Sequence, residues 1–238
     1  MRKEKMSYKE RLNELKAWLD ETRDQKTEEM AAFFDRRIGT YEEHMSPWQK
    51  HYEWMAEVLP ESAAKLLDIG VGTGLELDEI YKRFPAIDVT CVDMSREMLR
   101  VLSKKHGHRK LNIIRGDYFT VQLGEGYDTA VAFETLHHYT KDRKTALYRR
   151  LYRALADGGV FIECDYIAET QEIEDLLASE CRFRRERDGI AFDAFVHFDT
   201  PLTVEHELGA LRDAGFSHVE LVGFLPDDEH TAMIRAYK

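Results

Sequence analysis

The sequence lacks most of what would mark a secreted, membrane-spanning or nucleic-acid-binding chain. It has three cysteines, Cys91, Cys164 and Cys181, with no CxxC pair among them. Cys91 and Cys164 lie in apolar, strand-like runs, where a thiol behaves as a small buried hydrophobe. Reduced thiols are therefore expected, with no disulfide framework. No run approaches the roughly 20 apolar residues needed to span a bilayer, so no membrane partner is expected. The start, Met1-Arg2-Lys3-Glu4-Lys5, leads into a charged amphipathic pattern rather than an apolar signal core, which predicts a cytoplasmic location. Positive charge is also short: 34 basic against 45 acidic residues leave a net charge of -11, a field that repels a phosphate backbone and makes nucleic acid an unlikely partner. Two basic clusters run against this balance, Lys104, Lys105, Arg109 and Lys110, and then Arg182, Arg184, Arg185 and Arg187. Both read as a solvated helix end or face.

What is present suits one α/β domain with additions, since 238 residues can bury a large core. Residues 1–60 read as a helical cap or lid. Tyr8, Leu12, Leu15 and Leu19 form one apolar stripe, Met30, Phe33, Phe34 and Ile38 a second, both at helical spacing. The pattern breaks from Gly39 to Met45, a hinge-like link. Ser46-Pro47-Trp48-Gln49 then has a helix-start signature, with serine as cap and glutamine as reciprocal cap. That helix ends at Pro60.

The organising stretch is Lys65 to Leu75: a short apolar run, an acid at Asp68, then Gly70, Gly72 and Gly74 at every second position. It predicts a buried parallel strand leaving its sheet, a turn whose backbone is bare for a ligand, and a helix carrying Leu77, Ile80, Tyr81 and Phe84. Further strands follow at Ile87–Asp93, Leu111–Asp117, Tyr127–Phe133 and Val160–Asp165, alternating with helices, and an antiparallel pair closes the chain at Val219–Phe224 and Met233–Tyr237. The fold class is α/β: an open, doubly wound, mostly parallel sheet, Rossmann-like, of about seven strands, with a C-terminal antiparallel hairpin. The core occupies 61–238 and carries an insertion at about 166–200, in which Ile190 to Phe198 has no clear period. In such sheets ligands sit beyond the carboxyl ends of the strands; Gly70, Asp93, Asp117, Phe133 and Asp165 all fall there.

Asp-x-Gly-x-Gly-x-Gly from Asp68 to Gly74, the acid Asp93 after strand two, Asp117-Tyr118-Phe119 after strand three, and the run from Tyr127 to Tyr139 together resemble the class I S-adenosylmethionine-dependent methyltransferases, small-molecule type. The dinucleotide fingerprint departs from this chain at its third glycine, where Leu75 stands. The resemblance covers Lys65 to Asp165 and implies S-adenosylmethionine as cofactor and a small-molecule acceptor. It implies a cofactor site of Asp68, Gly70, Gly72, Gly74, Asp93, Met94, Asp117, Tyr118 and Phe133, in which Asp93 accepts from the ribose hydroxyls, Met94 packs on adenine and Asp117 accepts from the exocyclic amine. Asp93 has a structural alternative as the acid at the start of the helix after Ser95. The Asn/Asp-Pro-Pro-Tyr/Phe signature of amino methylation on bases is absent.

Should the acceptor need to lose a proton, His137 and His138 are the candidate bases, with Glu134 beside them and His197 and Asp199 as weaker candidates. A tandem histidine pair also suggests metal, but no further ligand lies at a metal-like spacing in the sequence, so no metal is expected. Two other classes suit the same sheet: a binding module that has lost catalysis, and a nicotinamide oxidoreductase, for which Leu75 and the lack of a Tyr-x-x-x-Lys pair are unfavourable. The sequence leaves a monomer or a homodimer open.

Overall fold

The computed structural model describes residues 6–191 and 194–238. Met1 to Lys5, and Phe192 and Asp193 of the Ile190 to Phe198 run, lie outside these. The elements run α1 Tyr8–Glu21, α2 Met30–Arg37, α3 Tyr41–His44, α4 Gln49–Val58, β1 Lys65–Ile69, α5 Leu75–Arg83, β2 Asp88–Asp93, α6 Arg96–His106, β3 Leu111–Arg115, β4 Tyr127–Phe133, α7 Lys141–Ala154, β5 Leu155–Tyr166, α8 Gln171–Asp188, α9 Val204–Ala214, β6 His218–Phe224 and β7 Thr231–Tyr237. One sheet takes all seven strands in the order β3-β2-β1-β4-β5-β7-β6. The first five are parallel, and β7 runs antiparallel to both β5 and β6, as the Rossmann-like reading requires.

The pleat sends alternate residues to opposite faces. Leu66, Val131 and Ile162 pack with Tyr52, Met55, Leu77 and Leu102 of α4, α5 and α6. Leu67, Ala130 and Phe161 pack with Leu147, Leu151 and Leu211 of α7 and α9. Both faces are thus apolar, which is why these strands read as near-continuous hydrophobic runs. Among the described residues no helix is long and apolar enough to cross a membrane.

Three local readings change. Ser46 does not cap a helix: a 3-10 turn, Ser46–Trp48, precedes α4, and the Gln49 amide donates to Glu79 at 2.7 Å and Glu53 at 3.2 Å instead of reaching back. The Asp157-Gly158-Gly159 segment is a bulged part of β5 rather than a turn before it. The N-terminal helix and the insertion are one body, because α1 lies on α8 with Leu12, Leu19, Ile173, Leu177, Cys181 and Phe198 between them. Arg184 joins them, donating to the Leu19 carbonyl at 3.2 Å and the Thr22 hydroxyl at 2.9 Å. It is buried, so the second basic cluster is not wholly a solvated face.

Two buried ionic groups sit within this frame. Behind β5, the Lys144 ammonium lies 2.6 Å from Glu207 and 3.5 Å from Glu163, and the Tyr148 hydroxyl donates to Glu163 at 2.7 Å. All four side chains are fully buried or nearly so. The second group is Asp68 of β1 and Glu76 of α5, buried together beneath the glycine turn. Burial pushes both carboxyls up, and the Asp68 carboxyl also rises through its closeness to the Glu76 charge. Sharing one proton lets Asp68 donate to Glu76, which gives partners to oxygens that would otherwise be buried alone.

Lys144→Met keeps the volume but strands two carboxylates in the core, and is expected to cost about 3–5 kcal/mol in urea unfolding; a loss under about 1 kcal/mol would contradict the network. Because the Asp68–Glu76 pair keeps a proton in the folded state at pH values where the unfolded chain has released it, the pair's contribution to stability is full below the ordinary carboxylate range and falls away as pH rises through the raised folded values, about 7 for Glu76. Glu76→Gln should flatten that fall, by about 1.4 kcal/mol for each pH unit of displaced titration. A pH profile with the wild-type slope would show that the pair does not share a proton.

Candidate functional site

β1 is flanked by β2 on one side and β4 on the other, so the chain leaves β1 and β4 in opposite directions and a crevice opens at their carboxyl ends. Gly70 leaves β1 at φ +74°, its N–H donating to the Val92 carbonyl at 2.9 Å. A Cβ there would stand 2.2 Å from the Thr135 hydroxyl, so the turn requires glycine twice over, for its backbone and for its space. Gly72, at φ +51°, faces the Tyr41 hydroxyl of α3. Gly74 is the left-handed N-cap of α5. Asp93, closing β2, accepts from the Gly72 N–H at 2.9 Å and the Ser95 N–H at 2.7 Å. The backbone role therefore exists, and each carboxylate oxygen still has a second lone pair for a ligand. Burial pushes the Asp93 carboxyl up against the pull of these amides.

Asp93, Gly70, Met94 and Tyr118 meet in a cleft of about 40 Å³, closed over by Met30, Ala31 and Phe34 of α2. The other expected cofactor residues lie elsewhere. Asp68 is under the loop with Glu76. Asp117 closes its own turn by accepting from the Phe119 N–H at 2.7 Å. The Phe133 ring packs on Tyr52 of α4 with centroids 4.4 Å apart. A carboxylate, a bare glycine turn and flat apolar neighbours suit a nucleoside chemically, but drug-sized ligands occupy several hundred Å³. The space is filled by α2, which is tied to the start of α6 through Asp35: its carboxylate accepts from the Ser95 hydroxyl at 2.5 Å and the Glu97 N–H at 3.3 Å.

On the other side of α2 is a cavity of about 1100 Å³, lined by Phe33, Phe34, Tyr41, Trp48, Glu134, His137, His138, Tyr166, His197 and Asp199. Phe34 belongs to both linings, so this ring is the wall between them. Asp165, at the end of β5 and fully buried, accepts from the Leu136 N–H at 2.8 Å, the Tyr166 N–H at 2.9 Å and His137 Nδ1 at 2.5 Å. Burial alone would lower the His137 pKa; the Asp165 carboxylate, with Asp199 and Glu134, reverses this and raises it to about 9. His138 is pushed down, by burial and then by the His137 charge, and stays neutral. Its Nδ1 lies 3.1 Å from an Asp199 oxygen. His197, stacked on Phe33 with centroids 3.4 Å apart, is lowered to about 4, chiefly by burial. Glu134 has φ +44°, an uncommon left-handed conformation for a side-chain-bearing residue. Burial raises its carboxyl to about 8.

The structure thus brings Glu134, His137, His138, His197 and Asp199 into one cavity. Asp199, distant in sequence from the histidines, lies beside both of them in space. Sequence reasoning missed Tyr41 over the glycine turn, Asp35 and Thr135. It noted Asp165 only as a strand end. The signal for Asp165 was an acid at the same strand-end position as Asp93.

Residues 66–159 match the family model of a methyltransferase domain. Uncharacterized methyltransferases of Bacillus cereus and Bacillus anthracis are 29% identical over 135 residues, 56% of this chain and 62% of theirs. The match thus spans about three-fifths of the length of these relatives. Among solved structures, a candidate O-methyltransferase of Nostoc punctiforme superposes with a TM-score of 0.64 and 25% identity, over 82% of this chain and 58% of that one. Human N-acetylserotonin methyltransferase, solved with its methyl donor, superposes with a TM-score of 0.63 and 17% identity, over 88% of this chain and 56% of that one. The comparisons give the nicotinamide oxidoreductase reading no support. Residues 66–159 are thus similar to a methyltransferase domain, and the glycine turn and strand order are shared with the Rossmann-like fold of S-adenosylmethionine-dependent methyltransferases.

Proposed function

We propose that the protein transfers a methyl group from S-adenosylmethionine to a small-molecule acceptor held in the 1100 Å³ cavity. The observation that carries this reading is that the glycine turn and the cavity wall meet at one point: Thr135, one residue after the cavity-lining Glu134, presses on Gly70. When bound, the cofactor supplies a methyl group on a sulfonium, already activated towards in-line displacement.

In this reading the protein contributes position and dryness. Gly70, Gly72 and Gly74 keep side chains out of the cofactor's path, the free lone pairs of Asp93 accept ribose hydroxyls, and Met94 and Tyr118 cover the base. Asp68, Asp117 and Phe133 serve this site indirectly, by supporting the turn and the strand ends. Residues 1–60 act as the lid, with Phe34 withdrawing to admit the cofactor and returning to exclude water. His137, His138 and Glu134 face the acceptor. His137 is held cationic by Asp165, so His138, neutral and in the cavity lining, is the side chain able to take a proton. A cavity of this volume suits a metabolite, and the net charge of -11 disfavours a nucleic-acid acceptor.

The test is transfer of a labelled methyl group from S-adenosylmethionine into a whole-cell extract, fractionated by size. Label is expected in the small-molecule fraction. Label only in nucleic acid or protein would contradict the acceptor class, and binding of S-adenosylhomocysteine without transfer to any fraction would make the chain a binding module. Gly72→Val, which forces a branched residue to φ +51° beneath Tyr41, should cut both transfer and S-adenosylhomocysteine affinity roughly tenfold or more, for a strain of about 1–3 kcal/mol. Normal affinity would place the cofactor elsewhere.

A further inference from the structure

We propose that His137 Nε2, His138 Nδ1 and an Asp199 oxygen form a three-ligand site for a divalent first-row transition ion, with its open positions turned to the acceptor cavity. The three ligand atoms lie within 4.8 Å of one another. Asp199 Oδ1 is 3.1 Å from His138 Nδ1 and 3.7 Å from His137 Nε2. Ligands at about 2.0–2.2 Å from one ion stand about 3.0–3.4 Å apart, so the two Asp199 distances need shifts of a few tenths of an ångström and the two imidazole nitrogens, within 4.8 Å of each other, one of up to about 1.4 Å.

The site is built rather than accidental. His137 donates through Nδ1 to Asp165 at 2.5 Å, which fixes the ring with Nε2 3.7 Å from Asp199; binding of the ion displaces the Nε2 proton of the cationic ring to solvent and takes its lone pair. A ligating imidazole whose other nitrogen is bound to a carboxylate is the usual supporting arrangement of metal sites. Asp165 is itself held by two backbone N–H groups and lies 4.0 Å from the Lys144 ammonium. Asp199 is kept beside the histidines because the next residue, Thr200, donates its N–H to the His137 carbonyl at 2.7 Å. His138 is buried, and its Nδ1 lies 3.1 Å from an Asp199 oxygen without the alignment of a regular hydrogen bond, a close but misaligned pair that an ion between the two atoms would satisfy. A second grouping, Glu134, His137 and Asp165, uses the His137 nitrogen already bonded to Asp165, so it is the orienting layer and not the site.

Two imidazoles and one carboxylate suit zinc, iron(II) or cobalt(II) better than magnesium, which prefers an all-oxygen shell. With the ion bound, His138 is a ligand rather than the base, and the positions not filled by protein can take an oxygen of the acceptor. The acceptor class is then a metabolite with an ionisable hydroxyl, phenolic or enolic, whose pKa the ion lowers. This last step rests on the methyl-transfer reading; the metal site does not.

The test is calorimetric titration of the full-length, chelator-treated chain with Zn²⁺, repeated with Co²⁺ while visible absorption is recorded. One ion per chain is expected, and His138→Ala and Asp199→Asn should each weaken it at least about tenfold to a hundredfold. Asp199 is partly exposed, so its variant keeps the test open should His138→Ala fail to fold. No stoichiometric uptake by the wild type, or uptake unchanged in Asp199→Asn, would overturn the site. S-adenosylhomocysteine is titrated in parallel: uptake of the ion without any binding of this ligand would sink the methyl-transfer reading and leave the metal site standing.

Discussion

The carboxylate of Asp165 is the contact on which the candidate site rests. It is buried at the end of β5 and accepts from two backbone N–H groups and from His137. An ionised carboxylate in an apolar interior is tolerable only when its lone pairs are filled, so each donor is held there as firmly as the charge itself. The Leu136 N–H fixes the loop that leaves β4, and with it the uncommon backbone of Glu134 at φ +44°. The His137 bond orients one imidazole towards the cavity. Lys144, 4.0 Å away, links this carboxylate to the buried Glu163, Glu207 and Tyr148 cluster behind the strand. Core and site therefore share one electrostatic network.

The other face of the site is far less constrained. The α2 and α3 helices meet the sheet domain through a few polar contacts, among them Asp35 on Ser95 and Glu42 on Lys105 at 3.1 Å, and through Phe34 and Tyr41 pressed over the crevice. Exposed or half-exposed pairs of this kind contribute little individually. The start of α2 is also tied to the insertion, the Met30 N–H donating to the Phe195 carbonyl at 3.0 Å and the His197 N–H to the Glu28 carbonyl at 2.9 Å.

The parallel strands were legible because both of their faces are covered, which prints a continuous apolar run on the sequence, and the turn after β1 because only glycine fits beneath Thr135. The acids at strand ends were legible for the same reason: polarity at the end of an apolar run is a local signal. What stayed hidden depends on contacts between segments distant in sequence. Nothing local shows that α1 and α8 share a core, or that Arg184 is buried between them. Lys144 and Glu207 sit on helices with many charges and look like solvated residues until the helices are packed. Asp199 is beside His138 only because Thr200 bonds the His137 carbonyl. Phe133 is a strand-end residue, but the pleat turns its ring to α4 and away from the crevice.

The central claim is that the turn from Gly70 to Gly74, with Asp93 beside it, holds the methyl donor. The most direct measurement is calorimetric titration of S-adenosylhomocysteine into the wild-type chain and into Asp93→Ala. The account expects one ligand per chain, with affinity lowered in the variant by one or two charge-assisted hydrogen bonds, on the order of 1.5–3 kcal/mol each. Equal affinity in a folded Asp93→Ala variant, or no binding by the wild type, would contradict it.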